Sequence, residues 1–159
     1  MDVTLLIDNQ DVAATGGATF ERAGPLGGTA SRAAAATAGD AAAAADAAAR
    51  AFPAWSRTGP NARRSLLLAA ADLMAGRAAQ FATVMATETG ASAGWAAFNV
   101  HLAASMLREA ASLTTQIKGE TIASDRPGCH AMTVRRPAGV VLGIAPWNAP
   151  VILGVRAIA

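Results

Sequence analysis

The chain has one cysteine, Cys129, among 159 residues, which excludes an intrachain disulfide framework and fits a reducing compartment. Histidine is almost as scarce. His101 and His130 have no partner at ligand spacing, so a metal site is not expected. Hydrophobic residues make up 53% of the chain, but much of that is alanine. No apolar run reaches the roughly 18 to 20 residues needed to cross a bilayer, so no membrane span is expected. Met1 to Asp8 offers neither a basic segment nor a long apolar stretch, so no signal peptide is read and the cytoplasm is the expected location. Charge of one sign is also in short supply: the net charge is +2, and the arginines are scattered from Arg22 to Arg156 rather than gathered on a stripe. Nucleic-acid binding is therefore not expected.

What is present alternates between short extended runs and long helical patterns. Leu5 to Val12 places a polar turn between two short strands, and Phe20 to Gly28 reads as a further strand and turn. From Thr29 to Thr37 the alanines favour helix by propensity. Gly39-Asp40 then opens a helix with Asp40 as its N-cap, an Asp46–Arg50 ion pair one turn apart, and an end near Phe52, before Pro53. Pro60 begins a second helix in which Leu67, Ala70, Met74, Ala78, Phe81 and Met85 form a stripe to be buried, with Gly90 as its stop. A third helix carries Trp95, Phe98, Leu102, Met106, Ala110, Leu113 and Ile117 at the same steps and ends at Lys118-Gly119. Its spacing makes Trp95 a core position.

The most specific stretch is Gly139-Val-Val-Leu-Gly-Ile-Ala-Pro-Trp-Asn-Ala-Pro150. Val140 to Ile144 lacks polar alternation, which predicts a strand covered on both faces of a parallel sheet. Pro146 and Pro150 bracket the loop that follows, where ligands collect in open α/β sheets. Asn148 has two readings from its residues alone: a cap for the helix starting near Pro150, or a neutral amide donor aimed at a developing negative charge.

This stretch resembles the Pro-Trp-Asn segment of the NAD(P)-dependent aldehyde dehydrogenase superfamily. Ala51-Phe-Pro-Ala-Trp55, Arg63-Arg64, Glu88-Thr-Gly90 and Arg136-Pro-Ala-Gly-Val140 are similar to family landmarks in the same order, so the resemblance covers essentially the whole chain. Residues from Glu88 to Pro127 look most like the branch that oxidises aromatic aldehydes such as salicylaldehyde or vanillin.

The resemblance implies an α/β fold: long helices, small antiparallel strands and the start of a Rossmann-like cofactor sheet. It implies a strand rather than a helix from Thr29. The chain divides into strands and turns over 1–38, a helical layer over 39–118, strands over 119–138 resembling part of the oligomerisation element, and a cofactor-sheet strand with a helix in progress over 139–159. The reaction implied is oxidation of an aldehyde to the acid with NAD or NADP through a cysteine thiohemiacetal. Asn148 is the oxyanion donor, and Ile144, Ala145, Pro146, Trp147 and Asn148 border the cofactor. Trp95 and Arg156 are candidates to line the substrate funnel.

Family polypeptides are several times longer, so an amino-terminal portion is expected, with the attacking cysteine and the general base elsewhere and no activity in this portion alone. A homodimer or homotetramer is implied for the whole protein. Cys129, in a turn between Gly128 and His130, reads as structural. No Gly-x-Gly-x-x-Gly loop occurs, so the residues without the resemblance do not point to a dinucleotide. The competing reading is a non-catalytic helical interaction module or a truncated pseudo-enzyme, using its apolar stripes to meet a partner.

Overall fold

The computed structural model describes residues 1–159. Seven short strands and five α-helices follow one another as β1 (Asp2–Val3), β2 (Leu5–Ile7), β3 (Gln10–Val12), β4 (Thr19–Ala23), β5 (Thr29–Ala34), α1 (Ala38–Trp55), α2 (Pro60–Gly76), α3 (Ala78–Thr89), α4 (Ala93–Leu113), β6 (Thr121–Ile122), β7 (Ala131–Met132) and α5 (Pro150–Arg156). The β2–β3 hairpin pairs Leu5 with Val12 and turns through Asp8 and Asn9, both at positive φ, the conformation a two-residue hairpin loop needs. From Thr29 the chain is a strand, as the resemblance implied, and the helix-favouring alanines are overridden by pairing on two sides. β5 lies between antiparallel β4 and parallel β1. That parallel β1 pairing has no local signature and was not anticipated.

The start of α1 corrects the expected cap. Thr37 is the N-cap, and Asp40 sits three residues inside as the second half of a capping box: Thr37 Oγ1 accepts from Asp40 N, and Asp40 Oδ2 accepts from Thr37 N at 2.7 Å. Asp40 also accepts from Thr15 N and, at 2.6 Å, from Thr15 Oγ1, tying the turn before β4 to the helix. These bonds, that from the Thr15 hydroxyl foremost and then those from Thr37, hold the Asp40 carboxyl well below the usual carboxylate range. The Asp46–Arg50 pair does not form. Arg50 instead reaches Asp8 at 3.7 Å across to the hairpin. Nor does α1 stop before Pro53; it runs on to Trp55 and carries the proline in its last turn.

The expected second helix is two helices. Gly76 weakens it, and Arg77 leaves helical geometry at φ −103°, ψ 15°. The stop at Gly90 holds: it is left-handed at φ 68°, and a Cβ there would meet Pro25 Cβ at 3.1 Å, so only glycine lets the β4–β5 turn approach.

In α4 the buried face differs by one position from the stripe read in the sequence. Ala96, Asn99, Val100, Ala103, Ala104, Leu107 and Ala111 are buried, whereas Trp95, Phe98, Leu113 and Ile117 are exposed. Small residues allow α2 and α4 to pack closely, so the core seam is Ala71, Ala103, Ala104 and Leu107, joined by Val155 of α5. Arg64 closes the seam at one end, donating Nε to Ala111 O at 3.1 Å. The helix also ends earlier than Lys118, at Leu113, followed by a 3-10 turn over Thr114–Gln116.

Candidate functional site

The expected buried strand Val140–Ile144 is absent. These residues have no ladder partner, and Leu142 and Ile144 are 84% and 83% exposed. The physical reason is that a strand exists only by pairing, and none of the seven strands pairs with this segment. Its position is nonetheless fixed at one point: a Cβ on Gly143 would stand 2.5 Å from Ala157 Cβ, so the backbone lies against the end of α5.

Ile144, Ala145, Pro146, Trp147 and Asn148 form one exposed run leading into α5, with Trp147 60% exposed. Ala149, buried, is the residue that caps α5, and no side chain bonds to the helix start. The capping reading of Asn148 is therefore overturned, and its exposed carboxamide is left free of that duty. Pro150 takes the first helical position, where a missing N–H costs nothing. The start of α5 meets the end of α3, where Pro150 and Val151 share a cleft with Met85, Glu88 and Thr89.

Trp95 is not a core residue: it is 43% exposed and stacks on Phe98 with ring centroids 5.4 Å apart. Arg156 is exposed in the last turn of α5, about 9 Å of axial rise from Pro150. The structure thus gathers residues 144–148 in one run and sets Arg156 at the far end of a short helix. Cys129 is exposed in the β6–β7 connection. No helix is long and apolar enough to cross a membrane.

A second concave region was missed from the sequence. A cleft of about 520 Å³ opens between the end of α1, the start of α2 and residues 135–141, and Arg63, Arg135 and Arg136 line it. The only available signal was the adjacent pair Arg135-Arg136 with no acidic residue near it in the chain.

Comparison with known proteins places these observations. A vanillin dehydrogenase from Pseudomonas fluorescens is 59% identical over 160 aligned residues, covering 100% of this chain and 33% of that protein. The crystal structure of a salicylaldehyde dehydrogenase from Pseudomonas putida G7, complexed with salicylaldehyde, superposes with a TM-score of 0.96 at 47% identity, covering 99% of this chain and 33% of the other. The structure of PnpE in complex with nicotinamide adenine dinucleotide gives a TM-score of 0.92 at 34% identity, covering 98% and 32%. The chain spans about a third of the length of the curated relatives it matches. The run that carries Asn148 lies inside the match to the aldehyde dehydrogenase family model, which extends over residues 12–159, and the chain belongs to that family.

Proposed function

We propose that the whole protein oxidises an aromatic aldehyde to its carboxylic acid with NAD or NADP, and that Asn148 supplies the amide donor for the oxyanion. The observation that carries this reading is the carboxamide itself: it is exposed ahead of α5 and committed to no helix cap. A neutral amide can stabilise an alkoxide as it forms without exchanging protons with a neighbouring thiolate.

The residues present suit a flat cofactor, since Ile144 and Trp147 leave apolar surface uncovered beside a rigid proline turn. NAD or NADP, when bound, accepts the hydride. Ile144, Ala145, Pro146 and Trp147 would form its wall, and Asn148 would border it. Trp95, stacked on Phe98, offers an aromatic face at the funnel, and Arg156 offers a cation for an ortho hydroxyl or carboxyl group. The curated relatives are about three times as long, and the proposal assigns the attacking cysteine and hydrolytic base to length that this chain does not span. A homodimer or homotetramer is the proposed assembly, in the cytoplasm. The rival reading, a non-catalytic interaction module, draws on the exposed Leu142, Ile144 and Phe98.

Nicotinamide reduction by the full-length protein, assayed with salicylaldehyde, vanillin and a short aliphatic aldehyde, separates the two readings. Turnover with the aromatic aldehydes is expected, and Asn148→Ala lowers kcat by about 10²–10³ while cofactor affinity is kept. Unchanged turnover, with chemistry shown to limit the rate, removes Asn148 from the mechanism. No reduction with any aldehyde leaves the interaction module standing.

A further inference from the structure

We propose that Gly143 is a positioning residue for Asn148: its missing side chain lets the chain lie against the end of α5, and that contact fixes where the loop carrying the carboxamide stands. The proposal rests on the oxidation reading and adds a residue to it.

From Gly143 the chain runs through residues 144–149, enters α5 at Pro150 and comes back to Gly143 at Ala157. One helix therefore holds the loop at both ends, by the chain itself at Pro150 and by contact at Gly143. α5 is a firm support. Its Ile152 and Val155 are each 5% exposed, and Val155 packs in the cluster of Ala71, Ala103, Ala104 and Leu107. Pro146 and Pro150 take backbone freedom out of the loop, so a shift at Gly143 is passed toward Asn148 rather than absorbed.

The tolerance at Gly143 is narrow. A Cβ there would stand 2.5 Å from Ala157 Cβ, whereas carbon atoms pack at about 3.5–4.0 Å. Gly143 is not among the glycines at positive φ other than Gly139 and those before it, so the demand is for space and not for an unusual backbone. An alanine has to move one of the two segments by about 1 Å. Because α5 is anchored in the seam, the unpaired segment is the one that yields, and a misplacement of about 1 Å can cost about 10²-fold in rate. Both partners of the contact belong to this chain. A longer crystal structure, of which this chain covers 33%, superposes on 99% of it at a TM-score of 0.96, so the two segments meet with the remaining length in place.

Steady-state oxidation of salicylaldehyde by the full-length protein tests this. Gly143→Ala is expected to lower kcat by about 10- to 100-fold with KM for the aldehyde little changed, because a donor moved off the developing oxyanion weakens the transition state alone. Adding Ala157→Gly restores the turnover of Ala157→Gly by itself: with that methyl gone, the nearest atom to the new Cβ is the residue 157 Cα at 3.9 Å, an ordinary contact. Ala157→Val crowds the contact from the helix side and lowers kcat in the same sense, which keeps the test open if Gly143→Ala does not fold. In Asn148→Ala protein, Gly143→Ala costs nothing further. Turnover untouched by both crowding substitutions, a loss that Ala157→Gly does not recover, or an equal loss in the Asn148→Ala background overturns the positioning role and leaves the oxidation reading in place. If Asn148→Ala itself leaves turnover unchanged, the oxyanion donor is lost from that reading and this proposal falls with it.

Discussion

The α2–α4 seam and the stretch from Gly139 to Ala149 are both rich in apolar residues, yet the first is dry and the second is wet. Ala71 and Ala103 are fully buried in the seam, whereas Leu142 and Ile144 are more than four-fifths exposed. Hydrophobicity is not what separates them. The seam has its partner within the chain, two helices whose alanines let the backbones close together and which Arg64 ties at one end. The 139–149 stretch carries a strand's sequence with no strand to pair with. Apolar character states a demand for burial; topology decides whether this chain meets it.

The sharpest way to break that contrast is to truncate one leucine from each region. Leu107, 3% exposed, contacts the seam, and Leu107→Ala is expected to cost about 2–5 kcal/mol because it removes buried methyl groups and leaves a cavity. Leu142→Ala in the same 159-residue chain is expected to fall within about 0.5 kcal/mol. Denaturant midpoints of the two variants check this. Equal losses would mean that Leu142 is packed in solution and that the contrast is false.

The same contrast explains what could be read in advance. The β2–β3 hairpin, the Gly90 stop and the Pro150 helix start were legible because each rests on local backbone chemistry: a two-residue turn, a left-handed cap, a first-turn proline. The face of α4 was misread by one position because a periodicity search weights large residues, and this seam is built from small ones. Thr37 and Asp40 are both good capping types, so composition does not choose between them; the reciprocal bonds between the two, together with the bond from Thr15, place the carboxylate inside the first turn. The run from Ile144 to Asn148, proposed as part of the site, was legible as a motif. The arginine cleft was not, because Arg63 and Arg135 meet only through the fold.

A smaller effect tests whether the strand region depends on the helical layer through Asp40. Thr37→Ala removes the hydroxyl that caps α1 and is expected to cost about 1 kcal/mol. The pH dependence has a definite sign. The Asp40 carboxyl is lowered in the folded protein, so its contribution is full above the unfolded aspartate value, near 4, and is lost as pH falls below that value. Melting temperature followed from neutral pH down to about 3 should therefore fall, and Asp40→Asn should flatten the acid limb. An unchanged slope in that variant would show that the link between Thr15 and α1 carries no stability.

The smallest expected effect bears on what holds the seam. Arg108 and Asp72 bridge α4 to α2 at 2.8 Å, the shortest ion pair in the structure, but their side chains are 45% and 74% exposed. In water an exposed pair of this kind gains little, because solvent screens the attraction and two long side chains must be ordered to form it. A double-mutant cycle with Asp72→Ala and Arg108→Ala is expected to give a coupling of about 0.2–1 kcal/mol, declining with salt. That is well below the effect of Leu107→Ala, as it must be if close packing of small residues, rather than charge across the surface, joins the two helices. A coupling of several kcal/mol that resisted salt would transfer the seam's stability to the ion pair, and the dry and wet regions would then differ in electrostatics rather than in pairing.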